Sequence, residues 1–192
     1  MIQEVIVTTR HPDGRTHCAP MGIRQAGPHL VIAPFRPSTT LDYLLAGRCA
    51  VVNYTDDVRI FAGCLTGRTN WPLVDTQRVP APRLADALAH TELELHKVED
   101  DPQRPRLFCR PVLQQTHGPF QGFNRAQGAV LELAILVSRL DRLPRDQVDR
   151  DIAYLGIAVQ KTAGPRELEA WGWLMERVAA QRAAGPGGGI TP

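Results

Sequence analysis

The stretch PFRPSTTLDYLLAGRCAVVNYTDD, residues 34–57, decides how this chain is read. It continues an apolar run, HLVIAPF at 29–35, and then turns abruptly polar with Arg36, Ser38, Thr39 and Thr40. STTLDYLLAG has the marks of a short helix. Ser38 or Thr39 supplies the oxygen that caps the first free amides, and Gly47 stands where the chain leaves the helix. RCAVVNYT then returns as a strand that closes on Asn53, Thr55 and Asp56. A helix start presents unpaired N–H groups and a partial positive charge. With three hydroxyl residues and a guanidinium beside it, it suits a phosphate. Simple capping explains Ser38 or Thr39 equally well, so both readings stand at this level.

Upstream, EVIVTT and CAPMGIRQ flank an Asp13-Gly14 turn, and Gly27-Pro28 turns the chain into HLVIAPF, which predicts a meander of antiparallel strands. With a period of two, His17, Ala19 and Met21 share one face, and Cys18, Pro20 and Gly22 the other. Pro20 removes an amide donor and Gly22 admits a close neighbour. That suits either a slot for a planar ring or a twisted edge strand. Downstream, VRIFAGCL at 58–65 fits a strand or a helical turn, and the proline-rich 70–87 is expected to loop over the surface. Residues 90–115 alternate on both sides of Asp100-Asp101-Pro102, as a hairpin does. From Asn124 the period becomes helical, with helices expected over 124–142, over 145–161 and from Pro165. Strands first and helices after define an α+β chain. The expected division is a barrel over 1–120, helices over 121–184 and a flexible GPGGGITP tail over 185–192.

Composition narrows the function. The 192 residues carry a net charge of +2 with no block of like charge, so no nucleic-acid partner is expected. Lys97 and Lys161 are the only lysines, which leaves arginine as the cation for any anion site. The longest apolar stretch, 129–137, is interrupted by Glu132 and is too short for a bilayer, so no membrane association is expected. Cys18, Cys49, Cys64 and Cys109 form no CxxC pair. That predicts reduced thiols, a cytoplasmic location and no metal site. No dinucleotide, P-loop, HExxH or GxSxG motif occurs, and the six histidines are scattered. No side chain declares itself a catalytic acid or base; His17 is the nearest to a ring slot.

Three blocks, EVIVTTRHPDGRTHCAPMGI, PFRPSTTLDYLLAGRCAVVNYTDD and GFNRAQGAVLELAILVSRLDRLP, resemble the family called domain of unknown function 447, in order and over about residues 2–180. The resemblance implies a six-stranded antiparallel split β-barrel related to pyridoxamine-phosphate oxidases and flavin reductases. It also implies bound FMN and a homodimer whose interface helps form the cofactor site. Under it, Arg36, Ser38, Thr39 and Thr40 would hold the FMN phosphate, and Ala19, Pro20, Met21 and Gly22 would run along the isoalloxazine edge. Asn53, Thr55 and Asp56 would lie near ribityl or ring polar atoms. Asn124 would cap the first long helix, and Arg125, a cation where a helix start disfavours one, would meet an acidic partner, either a carboxylate across a domain contact or the phosphate itself. The expected function is an FMN-dependent oxidoreductase acting on an unidentified small molecule, with transient NAD(P)H contact. The alternatives are a flavin carrier or sensor, or a binder of another phosphorylated ligand.

Overall fold

The computed structural model describes residues 1–184, so the expected 185–192 tail lies outside the described residues. The chain divides into two compact units, Met1–Asp56 with Thr69–Phe120, and Asp57–Arg68 with the chain from Gln121 onward.

In the first unit, β1 (Gln3–Arg10), β2 (Thr16–Ala26) and β3 (His29–Ile32) form the meander. Helix α1 (Thr39–Gly47) and strand β4 (Cys49–Tyr54) follow. The six-stranded barrel closes in the order β1-β2-β3-β8-β7-β4, with β7 (Ala89–Glu99) and β8 (Arg106–Thr116) as a long hairpin and every pairing antiparallel. Alternation fills the interior. Val5, Val7, Ala50, Val52, Leu93, Leu95 and Leu107 make one buried cluster, and Leu41 and Leu44 of α1 complete it. Helix α1 joins the end of β3 to the start of β4, so it sits at the barrel end where the β7–β8 turn also lies. Between β4 and β7 the chain makes helix α2 (Val58–Leu65) and then a small ribbon of β5 (Leu73–Val74) and β6 (Arg83–Leu84). The proline-rich segment is therefore pinned, with Val79 and Ala81 packed on the outward-facing Cys49 and Val51.

The second unit packs α2, α3 (Arg125–Val137), α4 (Arg145–Thr162) and α5 (Pro165–Ala184). Val58 and Ala62 of α2 are buried with Val130, Leu133, Ala170, Leu174 and Val178. The segment left open between strand and helical turn is thus a full two-turn helix. Asp57 caps it with a bond from the Arg59 amide, and its apolar face belongs to the helical core. None of the four cysteines is in a disulfide; Cys49 and Cys109 are buried, and burial pushes the Cys109 thiol up to about 12. Among the described residues no helix is long and apolar enough to cross a membrane.

Gly47 differs from its expected role. It is the last helical residue, and Arg48 takes the left-handed conformation with φ 58°. The glycine is needed for space, because a Cβ there would lie 2.4 Å from the carbonyl oxygen of Arg10. Gly128 of α3 has nothing within 4 Å of such a Cβ. Gly47→Ala is therefore expected to destabilise by about 1–3 kcal/mol, as overpacking does. Gly128→Ala is expected to stabilise by roughly 0.5–1 kcal/mol. Urea midpoints read both. Equal effects of the two substitutions would show that the Arg10 contact is not limiting.

Candidate functional site

The polar stretch after β3 forms a built corner. Ser38 is the N-cap of α1, and its Oγ accepts from Leu41 N at 3.4 Å. The first intrahelical bond runs from Asp42 N to Ser38 O, so the amides of Thr39 and Thr40 lie in the unsatisfied first turn. Arg36 is held beside them by the hairpin turn between β7 and β8. Its Nη2 donates to Asp100 Oδ1 at 2.7 Å and its Nε to Asp101 O at 3.3 Å, while its own amide donates to Gln103 O. Arg104 reaches back to Ala33 O and lies over the Phe35 ring. Arg36 and Thr39 are exposed and Ser38 is half-buried. Thr40, expected among the donors, is only 1% exposed; the apolar face of the helix draws it inward.

The β2 residues keep their two faces. Met21 packs against the barrel core, and Ala19 shares its side. Pro20 and Gly22 pair in register with Ile6 and Glu4 of β1. A Cβ on Gly22 would lie 2.9 Å from Ile2 Cγ2 and 3.4 Å from Glu4 Oε1, so those side chains already use the room the glycine leaves. His17 lies edge-on to Tyr43 with centroids 6.0 Å apart, and burial lowers its pKa.

Asn53, Thr55 and Asp56 lie elsewhere. Strand β4 begins beside α1 and runs to the opposite barrel end, roughly 20 Å along at about 3.3 Å per residue. They are not gathered with Arg36 and Ser38. Asn53 is fully buried and its amide is committed. Nδ2 donates to Ile6 O and Thr8 Oγ1 at 3.1 Å, and Oδ1 accepts from Leu84 N at 2.7 Å. That role ties the β6 ribbon to the barrel and leaves no atom for a ligand. Thr55 and Asp56 are half-buried just beyond the strand.

Sequence reading passed over a second polar group at this far end. Glu92, 0% exposed, accepts from the amides of Gln77 at 3.0 Å, Arg78 at 2.7 Å and Val79 at 2.9 Å. His90 Nε2 lies 3.4 Å from Glu92 Oε1, and His90 Nδ1 lies 2.8 Å from Nε2 of the exposed His117. In HTELELH the residues His90, Glu92, Glu94 and His96 alternate onto one face, and Glu94 pairs with an exposed Arg110. Locally nothing separates Glu92 from Glu94; the signal was the proline-rich segment, which needs an anchor for its free amides. Among the described residues no group of three or more His, Cys, Asp or Glu side chains is gathered to hold a metal.

In the helical unit Asn124 caps α3, accepting from Ala126 N at 2.7 Å. Arg125, the first residue of α3, is exposed. No ion pair involves it among the described residues, and it borders an open groove of about 250 Å³ with Ala129, Tyr154 and Ile157. Of the two expected kinds of acidic partner, the described residues supply no carboxylate.

Taken together, a closed six-stranded antiparallel barrel plugged by a short helix is the fold of the FMN-binding split barrels. Family models place the chain further. The N-terminal domain of the protein of unknown function DUF447 matches residues 3–118, and the second DUF447 model matches 124–176. The chain belongs to this family. An FMN-bound DUF447 protein of Methanosarcina mazei is similar over 92% of this chain and 94% of its own, with 21% identity and a TM-score of 0.79. The 2-nitrobenzoate 2-nitroreductase of Pseudomonas fluorescens is similar over 59% of this chain and 64% of its own, with 23% identity and a TM-score of 0.52. The styrene monooxygenase flavin reductase of Pseudomonas putida is similar over 61% and 82%, with 14% identity and a TM-score of 0.51. No curated protein matches the sequence.

Burial opposes ionisation of Glu92, but the three amides and His90 outweigh it and hold the carboxyl below its ordinary range. A folded pKa below the unfolded one stabilises above the unfolded value, about 4.3, and that stability is lost as pH falls through the folded value. Glu92→Gln is therefore expected to destabilise at neutral pH by about 2–4 kcal/mol, with the gap to wild type closing in acid. Urea unfolding at neutral pH and well below the carboxylate range checks this. A gap that stays constant with pH contradicts an ionised Glu92.

Proposed function

We propose that the chain binds FMN and uses it for two-electron redox chemistry on a small molecule. The observation that carries this reading is the open helix start at Ser38 with Arg36 held beside it, in a fold whose Methanosarcina mazei relative is FMN-bound. The donor set suits a phosphate monoester: two first-turn amides, the Ser38 and exposed Thr39 hydroxyls and a planar cation. Ala19, Pro20, Met21 and Gly22 are the residues proposed along the ring, with Thr55 and Asp56 beyond them; Asn53 is left out because its amide is committed. FMN, when bound, supplies the hydride chemistry, and the chain supplies orientation and electrostatics. An oxidoreductase fits better than a carrier, since two neighbours of the same fold are a nitroreductase and a flavin reductase. NADH or NADPH added without oxygen to the FMN-loaded protein distinguishes them, because only the former bleaches the flavin.

The same reading takes the chain as a homodimer. Tyr154, Ile157 and Leu168 are 76%, 46% and 55% exposed, and apolar surface of this kind on a helical unit suits a second copy.

Arg36 must share its guanidinium between Asp100 and the phosphate. Arg36→Ala is expected to weaken FMN about tenfold or more while leaving riboflavin, which lacks the phosphate, nearly unchanged. Asp100→Asn frees the guanidinium and removes a nearby negative charge, and is expected to tighten FMN by up to about threefold. Fluorescence titrations with the two flavins read both. Light scattering on the same samples is expected to give a mass near twice 21.2 kDa. Equal losses of FMN and riboflavin in Arg36→Ala would remove the phosphate assignment, and a mass near 21.2 kDa would remove the dimer.

A further inference from the structure

We propose that Glu92, His90 and His117 form a fixed hydrogen-bond relay that makes Nδ1 of His117 an outward-facing proton acceptor at the barrel end where β4 finishes. This goes beyond the cofactor reading and does not rest on it.

The tautomers follow from one group. Glu92 takes its three backbone amides as a carboxylate, which has no hydrogen to give. His90 Nε2, 3.4 Å from Oε1, must therefore carry the hydrogen and donate. In the neutral ring this leaves His90 Nδ1 as an acceptor, so Nε2 of His117 must donate to it across 2.8 Å. The two rings are parallel within 8° and their centroids are 5.0 Å apart. That spacing nearly equals the N···N distance plus two ring radii. The imidazoles thus lie end to end in almost one plane, with the hydrogen along the line between them, and are not stacked face on face.

One ring nitrogen remains without a role, Nδ1 of His117. His90 is 2% exposed and His117 is exposed, so only the second imidazole meets solvent. A proton arriving at Nδ1 leaves the Nε2–H of His117 in place and breaks no bond of the relay. It comes from an O–H or N–H of a small molecule, whose bonding pair stays behind, and returns to water from the same nitrogen. His90 and Glu92 are positioning residues: they hold the ring in one orientation and one tautomer.

The surroundings keep this base unprotonated at neutral pH. Desolvation and the Arg83 guanidinium both lower the pKa of His117. Arg83 is fixed by bonds to the carbonyls of Leu84 and Ala85. Its positive charge favours a neutral O–H or N–H acid whose conjugate base is an anion, such as a phenol, over a cationic substrate.

Nitrogen-15 spectra of the imidazoles in the full chain, recorded between about pH 5 and 8, test this. The expected result is His90 with its hydrogen on Nε2 at neutral pH. His117 is expected to gain its proton at Nδ1, with a scalar coupling across the bond between the rings. Glu92→Gln removes the negative charge behind the relay, so His117 should titrate at still lower pH. His90→Phe keeps a ring in place and covers the case in which Glu92→Gln does not fold. In it the His117 Nε2–H should exchange with water about tenfold faster, the equivalent of one lost hydrogen bond. A hydrogen on Nδ1 of His90 at neutral pH, protonation of His117 at Nε2, or unchanged exchange in His90→Phe would each overturn the relay.

Discussion

The burial of Leu41 and Leu44 in the mouth of the barrel is the contact on which the rest depends. Both are essentially inaccessible, and each contributes about 1.5–3 kcal/mol by leaving water. With those side chains fixed, α1 can start only at Ser38, and its first-turn amides emerge at the barrel rim. The same docking brings the helix end against the Arg10 carbonyl, where only a glycine fits at position 47. Arg36, one short step before the helix, then falls within reach of the β7–β8 turn and is held there by Asp100 and the Asp101 carbonyl. A hydrophobic plug thus shapes a polar corner.

The opposite end is organised by buried polar groups. Asn53 and Thr8 bond the 82–84 segment to the barrel wall, and Glu92 gathers three consecutive amides of the 77–79 segment. Such a network is stabilising only when it is complete, because an unpartnered charge in the interior is strongly unfavourable. Here it is nearly closed, and what leaves it is an imidazole edge at the surface. The two ends of the barrel therefore present different groups: hydroxyls and a guanidinium beside α1, an imidazole edge at His117.

Much of the barrel could be read from the chain because its signals are local. Period-two alternation gave β1, β2 and the β7–β8 hairpin, and Ser38 marked the start of α1. Asn124 and Pro165 marked the starts of α3 and α5 in the same way. What escaped depends on partners distant in sequence. VRIFAGCL carries β-branched and aromatic residues that suit a strand, yet it is helical because its apolar stripe is buried with α3 and α5. Asn53 has the residue type of a ligand contact, but its partners come from Ile6, Thr8 and Leu84. Glu92 looks like any outward carboxylate until the 77–79 segment covers it. Gly47 reads as the glycine where a helix ends, but what requires it is the Arg10 carbonyl, 37 residues away along the chain.

The ligand proposed for the corner built by Arg36, Ser38 and Thr39 is one phosphate monoester carried by a flavin. The most direct measurement is mass spectrometry of whatever the protein releases on denaturation after reconstitution with an equimolar mixture of FMN and FAD. The account predicts FMN in large excess, since the corner has donors for one phosphate and the chain carries no second diphosphate motif. Release of FAD alone, or of neither flavin, would contradict it.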